Sequence, residues 1–207
     1  MILVIDYGVG NLASFTKALS YLSLPFKVSS DPADLRGTRL AVLIGVGNFG
    51  GAMDELKSRG FDAAIREYVS APSSRLFGIC VGMQVLFEGS EEATGVEGLG
   101  LLRGTLQKLA PQPDAPVPHV GFDGIHFGAP APMTAGLADG SAFYFTHSYA
   151  LMDPPPGCWA AHCFHGARKF VAAVDSAKVG GVQFHPEKSQ SNGITLLRNV
   201  CATAFDG

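Results

Sequence analysis

The chain has 207 residues, of which 47% are hydrophobic and only 16% are charged, against about 25% charged residues in typical soluble domains. This length predicts one domain, over residues 1–207, and the low charged fraction is typical of a sheet covered on both faces, with a further apolar surface for a partner. The formal net charge of −3 and the lack of any Lys/Arg cluster give no general electrostatic reason to bind nucleic acid or an anionic membrane.

The first half of the chain alternates buried strands with helices, as in parallel α/β sheets. A helix is predicted from Leu12 to a point before Pro25, because apolar residues recur at helical spacing there. A second helical stretch is predicted from the glycine-rich segment 45–51 to about Val69, with a break near Gly60. Continuous apolar runs predict strands over 2–5, 26–28 and 40–44.

The segment 76–84 is an apolar run that ends in Gly78-Ile79-Cys80-Val81-Gly82, and it predicts a buried strand turning sharply into a helix. Glycines two residues either side of Cys80 remove Cβ atoms that would clash in a tight bend, and one of them could take a positive φ. This is the nucleophile-elbow pattern with cysteine in place of serine. The helix N-terminus beside the sulfur would favour a thiolate. The alternative is a small buried hydrophobic residue, as most free cysteines are.

The second half of the chain is predicted to complete a mixed sheet. A short helix should run from Cys80 to about Phe87, and a last helix over about 193–205 should bury Ile194, Leu197, Val200, Cys201 and Ala204. Strands are predicted over 99–109, 118–127, 142–145, 158–164, 170–174 and 179–184, the last three antiparallel or meandering. The predicted class is therefore α/β, a single domain with a mostly parallel central sheet and helices on both faces, of the flavodoxin-like kind.

The segment 181–187 predicts a strand that ends at His185. Pro186 pushes His185 towards extended geometry, and residues two apart in an extended chain lie on the same side. Glu187 can therefore bend back to accept the Nδ1 proton of His185, which leaves Nε2 to face a thiol. With Cys80 this has the logic of a nucleophile, a base and an orienting acid. The alternative is a structural hydrogen-bonding histidine.

Three other patterns bear on function. Gly45-x-Gly47-x-x-Gly50 spells a dinucleotide fingerprint, but it follows the third strand and lacks the acidic residue about 20 positions on. The set Cys158, His162, Cys163 and His165 matches no metal-ligand spacing, and alternation along a strand explains it equally well. We therefore expect no cofactor and no metal. The four cysteines form no disulfide framework. The amino terminus is a strand and not a signal peptide, and no apolar run nears the length of a membrane helix, so a cytoplasmic location is expected.

The motifs around Cys80 and His185, together with Gln84, resemble the signatures of the class I, triad-type glutamine amidotransferases. Within that family the chain is similar to the glutaminase subunits of imidazole glycerol phosphate synthases. The similarity covers nearly the whole sequence, in the segments Ile5–Leu12, Gly45–Phe49, Pro118–Gly121, Tyr144–Tyr149 and His185–Ser189.

The resemblance implies hydrolysis of glutamine by Cys80 and His185, with Glu187 as the third member of the triad. It implies an oxyanion hole made by the Val81 N–H and a peptide N–H of the loop at Val46 and Gly47, and this loop tends to rest turned away in the family. The substrate's charged ends would be bound by Gln84, Glu92, Ser148 and Tyr149, although Glu92 also fits a solvated acidic turn.

The implied partner is a (β/α)8 cyclase subunit that receives ammonia, in a heterodimer without nucleic acid or membrane contact. Tyr144, Pro118 and His119 are similar to interface or gate positions. Four residues depart from the family pattern without touching the triad: Ile44 for proline, Phe122 for tryptophan, Asp123 for asparagine and Gln190 for glycine.

Two further hypotheses stay open. The first is the glutaminase of another synthase, such as one for pyridoxal phosphate or aminodeoxychorismate. The second is a catalytically silent docking module that keeps the fold, against which the intact Cys80, His185 and Glu187 argue.

Overall fold

The computed structural model describes residues 1–205 as an α/β fold built on a seven-stranded sheet. The helices are α1 Leu12–Tyr21, α2 Phe49–Ser58, α3 Phe61–Ser70, α4 Val81–Gln84 and α5 Gln190–Thr203. The strands are β1 Ile2–Ile5, β2 Phe26–Ser29, β3 Leu40–Gly45, β4 Arg75–Cys80, β5 Gly89–Ser90, β6 Thr105–Lys108, β7 His119–Gly124, β8 Ala142–His147, β9 Tyr149–Ala150, β10 Trp159–His165, β11 Arg168–Asp175 and β12 Val179–Val182. No helix among residues 1–205 is long and apolar enough to cross a membrane.

The main sheet has the strand order β10-β11-β12-β4-β3-β1-β2. Strands β2, β1, β3, β4 and β12 are parallel, and β10 and β11 extend the sheet in antiparallel fashion. Every residue of β1, β3 and β4 is buried, so both faces of the sheet are covered, as the continuous apolar runs predict. The predicted α/β class is confirmed.

Strand β4 lies in the middle, between β3 and β12, and this order decides where the functional segments meet. The register pairs Gly45 with Cys80 and Val182 with Ile79. Because the three strands are parallel, their carboxyl ends reach one edge of the sheet. The glycine-rich loop after β3, the turn at Cys80 and the segment leading to His185 therefore lie side by side.

Two smaller sheets cover this edge, one of β5, β6 and β9 and one a ribbon of β7 and β8. The ribbon is tied to the segment after β12 through Tyr144, which forms an isolated bridge with His185. Ser189 strengthens the tie, since its Oγ accepts from the Tyr144 N–H at 2.9 Å and donates to the His185 carbonyl at 2.6 Å. The ribbon thus fixes the backbone that carries His185.

Four predicted boundaries were wrong. Helix α4 ends at Gln84 and not near Phe87, because the next residues bond to carbonyls three positions back and tighten into turns. The predicted strand 99–109 reduces to β6, because the N–H groups of Leu99 and Leu101 bond to that same turn. Strand β12 stops at Val182, since the backbone of His185 pairs with the ribbon instead of the sheet.

Helix α5 begins at Gln190, three positions earlier than expected, and it buries Leu196 where Ile194 was expected. Its first turn packs directly on the His185 segment, since a Cβ on Gly193 would lie 1.9 Å from the Pro186 carbonyl oxygen. The predicted break near Gly60 is confirmed, as this residue takes φ 73° between α2 and α3.

Candidate active site

The turn at Cys80 is the sharp feature of the carboxyl edge. Cys80 has φ 54° and ψ −116°, a conformation that costs a non-glycine residue about 1–3 kcal/mol. The flanking glycines are needed for close approach: a Cβ on Gly78 would lie 2.5 Å from the Gly82 carbonyl oxygen, and one on Gly82 would lie 1.9 Å from the Leu43 carbonyl oxygen. Of the three residues, the positive φ falls on the cysteine itself, not on a glycine.

His185 and Glu187 form a buried pair beside Cys80. The Nδ1 atom of His185 lies 2.7 Å from Glu187 Oε1, and the two side chains are 1% and 0% exposed. Burial alone would lower the pKa of His185, but hydrogen bonds with Cys80 and Glu187 outweigh it and raise this pKa to about 9. His185 therefore carries a proton at neutral pH, and it can stabilise a thiolate at Cys80.

Two amides complete the surroundings of the thiol. Gln183 points its Nε2 at Cys80 Sγ, at 3.9 Å, and its Oε1 accepts from Gln84 Nε2 at 3.0 Å. Gln84 also donates to the Tyr149 carbonyl at 3.0 Å. Gln183 was not predicted as a site residue, although it lies two positions before His185 and shares its motif. Gln84 is thus held in one orientation by two acceptors.

A cavity of about 380 Å³ opens over Cys80, within the size range of small-molecule sites. It brings together every site residue predicted from the sequence except Glu187, which lies behind His185. The lining residues are Val46, Gly47, Cys80, Val81, Gln84, Glu92, Pro118, Thr146, His147, Ser148, Tyr149, His185 and Lys188. Thr146, His147 and Lys188 were not predicted as site residues, though each lies in a motif used for the resemblance.

Glu92 does more than face the cavity. Its Oε2 accepts from the Phe49 N–H at 2.8 Å, so it caps the start of α2 directly after the glycine-rich loop. Asn48 caps the same turn, because its Oδ1 accepts from the Gly51 N–H at 2.8 Å. Between these anchors and β3, Gly47 takes φ 93°, and a Cβ added to it would meet no atom within 4 Å. Glu92 therefore links the cavity to the loop.

The ribbon presents an apolar face at the rim of the cavity. Val120 and Phe122 are 56% and 49% exposed, and Phe122 packs edge-on against Tyr144 with ring centroids 5.5 Å apart. The Lys188 ammonium lies 5.6 Å from the centre of the Tyr144 ring. An exposed aromatic pair beside a site is typical of a surface that meets another protein.

No group of three possible metal ligands within residues 1–205 includes Cys158 or Cys163, and burial raises the pKa of Cys163 to about 12. His119, Asp123 and His165 do bring one ligand-type atom each within 4.8 Å of one another. However, the His119 and His165 rings stack, with centroids 4.3 Å apart and planes 33° apart. Lone pairs in stacked planes do not converge on one point, so this set does not fit a metal ion.

The family described as "Glutamine amidotransferase class-I" matches residues 3–204. The chain is 40% identical over 199 residues to "Imidazole glycerol phosphate synthase subunit HisH" of Chlorobium luteolum, which covers 96% of this chain and 98% of that protein. It is 39% identical over 201 residues to the protein of the same name from Pyrococcus furiosus, with 96% of each covered.

Solved structures share the fold. One described as "Crystal structure of glutamine amidotransferase" superposes with a TM-score of 0.74 at 18% identity, covering 98% of both chains. Another, described as a putative GMP synthase protein from Thermoplasma acidophilum, superposes with a TM-score of 0.66 at 20% identity, covering 99% of this chain and 94% of that one. At these identities the likeness concerns the fold alone.

Proposed function

This chain belongs to the class I glutamine amidotransferase family, and we propose that it is the glutamine-hydrolysing subunit of an imidazole glycerol phosphate synthase. The observation that carries the proposal is the strained Cys80 beside the buried His185–Glu187 pair, at the floor of one cavity. Relatives named for that subunit, about 40% identical over nearly the whole chain, support the choice of synthase.

The proposed reaction begins with attack of the Cys80 thiolate on the side-chain amide carbon of glutamine. A C–S bond forms, and the carbonyl π electrons move to oxygen. When the oxyanion collapses, the C–N bond breaks, and the His185 imidazolium gives its Nε2 proton to the leaving ammonia. His185 then takes a proton from water as the water attacks the thioester, which releases glutamate and restores Cys80. Glu187 keeps the Nδ1 proton in place throughout.

The oxyanion would be bound by backbone N–H groups. Val81 is the first residue of α4, and the first four N–H groups of a helix have no partner within it. We propose that this N–H acts with a peptide N–H of Val46 or Gly47 across the cavity. Each such donor is worth about 3 kcal/mol of barrier, so the orientation of the loop would control the rate.

The charged ends of glutamine would be bound opposite the thiol. Because Gln84 donates both known hydrogen bonds through Nε2, its Oε1 remains to accept from the substrate's ammonium group. The second oxygen of Glu92 could do the same, since its Oε2 is bonded to Phe49. The N–H groups and hydroxyls of Ser148 and Tyr149 would bind the carboxylate.

The partner would be a (β/α)8 cyclase subunit that docks on the apolar face of the ribbon and takes up the ammonia. The exposed Val120 and Phe122 and the Phe122–Tyr144 pair support this, because they lie at the cavity rim. The proposed activity and the free cysteines fit a reducing, cytoplasmic compartment.

Coexpression with the cyclase and measurement of glutamate release tests the proposal. Glutamate release should require the cyclase and its ligand, and Cys80→Ala should abolish it. Cys201→Ala, in a buried cysteine of α5, is the matched control and should retain activity. Turnover unaffected by Cys80→Ala would refute the triad, and copurification of a different synthase would refute the choice of partner. A glutamine-like electrophile that never labels Cys80, even with cyclase and ligand present, would favour the silent docking module.

A further inference from the structure

A line of hydrogen bonds runs through the wall of the cavity, from the protein surface to Gln84. Asp123 Oδ2 lies 2.6 Å from His119 Nε2, and His119 Nδ1 lies 3.2 Å from His147 Nε2. His147 Nδ1 lies 3.0 Å from the Tyr149 carbonyl oxygen, which also accepts from Gln84. The two histidines are buried, whereas the Asp123 side chain is 47% exposed.

This line needs more protons than neutral histidines supply. Its outer members, the Asp123 carboxylate and the Tyr149 carbonyl, only accept hydrogen bonds. The three contacts among Asp123, His119, His147 and Tyr149 therefore need three protons on the ring nitrogens, but two neutral imidazoles carry two. All three hydrogen bonds can form together only when the line binds one extra proton.

We propose that Asp123, His119 and His147 form a proton-binding relay that positions the Tyr149 carbonyl and, through it, Gln84. These are positioning residues for the glutamine site, and the proposal rests on the function proposed above. With the extra proton, His147 donates to the Tyr149 carbonyl through Nδ1. The carbonyl then faces both His147 and Gln84.

Loss of the extra proton acts at the far end of the line. A carboxylate is a stronger acceptor than a carbonyl, so the remaining Nε2 proton of His119 stays on Asp123. His119 Nδ1 then becomes an acceptor, and His147 must donate to it through Nε2. The bare Nδ1 of His147 now faces the Tyr149 oxygen, and that contact becomes repulsive. A proton lost at the surface thus loosens the carbonyl that holds Gln84.

The surroundings locate the extra proton at the Asp123 end. Burial, with His119, His165 and His185 nearby, lowers the pKa of His147 to about 3, so His147 stays neutral. Burial also lowers the pKa of His119, while Asp123 opposes the shift. The other titratable groups that face the line are His165, stacked on His119 with its Nε2 at 2.8 Å from the Pro116 carbonyl, and Cys163 near Asp123.

Histidine ¹⁵N NMR of the free chain between pH 4.5 and 8.5 tests the relay without any catalysis. In the wild type, His147 should change from the Nδ1–H to the Nε2–H tautomer as His119 loses its proton. Asp123→Asn should hold His147 as Nδ1–H at every pH, because the asparagine amide can donate to His119 Nε2. Asp139→Asn alters a separate exposed pair, Asp139 with His126 at 3.1 Å, and should behave as wild type. A wild-type His147 with one tautomer throughout would overturn the proposal.

Kinetics with saturating cyclase and its ligand test the link to Gln84. Over the pH range where the wild-type tautomer changes, the KM for glutamine should rise about fivefold, the effect of one hydrogen bond, while Asp123→Asn should show no such rise. Parallel KM profiles in the two proteins would refute the coupling. If the tautomer changes but no variant hydrolyses glutamine, the proposed function fails and the relay stands.

Discussion

Replacement of Cys80 by glycine should stabilise the fold relative to replacement by alanine. Both changes remove the thiol, but alanine keeps a Cβ at φ 54° and ψ −116°. That conformation costs a non-glycine residue about 1–3 kcal/mol, and glycine takes it without strain. Glycine's greater freedom in the unfolded chain costs about 0.5–1 kcal/mol. The difference leaves Cys80→Gly more stable than Cys80→Ala by about 1 kcal/mol.

Urea unfolding of the two variants measures this difference as a shift in midpoint at equal slope. Ala63→Gly, at an exposed position inside α3, is the opposite control and should lose about 1 kcal/mol. If Cys80→Ala proves more stable than Cys80→Gly, the turn at Cys80 is not strained, and its positive φ carries no energetic cost.

Three further changes should have defined effects. Gly82→Ala would bring a Cβ within 1.9 Å of the Leu43 carbonyl oxygen, so we expect a loss of about 3 kcal/mol or more in urea unfolding. The pKa of His185 is raised to about 9, so its charge stabilises the fold fully below the unfolded value of about 6.5. That contribution should disappear as pH rises through 9, and His185→Gln should remove this pH dependence of the unfolding free energy. Asp175→Ala should cost about 3–5 kcal/mol, because it leaves Arg75, 2.6 Å from Asp175 Oδ1 and 8% exposed, without its buried partner; charge-neutral Asp175→Asn should cost less.

The sequence predicted those features that depend on local chemistry. Runs such as 2–5 and 40–44 predict strands buried on both faces, and the glycines around Cys80 predict a turn that only small residues permit. The pairing of His185 with Glu187 follows from two positions in one short segment. The catalytic roles of these residues stay predictions that the experiments above would test.

Long-range packing accounts for what was missed. Leu99 and Leu101 have the apolar character of a strand, but their N–H groups meet the turn after α4, which no local pattern indicates. Gln183 touches Cys80 only because β12 lies next to β4. The proton count of the ribbon histidines likewise needs the pairing of His119 with His147.

The loop after β3 is anchored so closely that any switch in it must be small. Gly45 is held in register with Cys80, and Asn48 and Phe49 are held by the two caps on α2. Only the peptide between Val46 and Gly47 is left to turn. Such a crankshaft rotation changes ψ of Val46 and φ of Gly47 in opposite senses and moves no Cα atom. An active and an inactive form would then superpose in their Cα traces, and the carbonyl ¹³C shift of Val46 would be the signal that separates them.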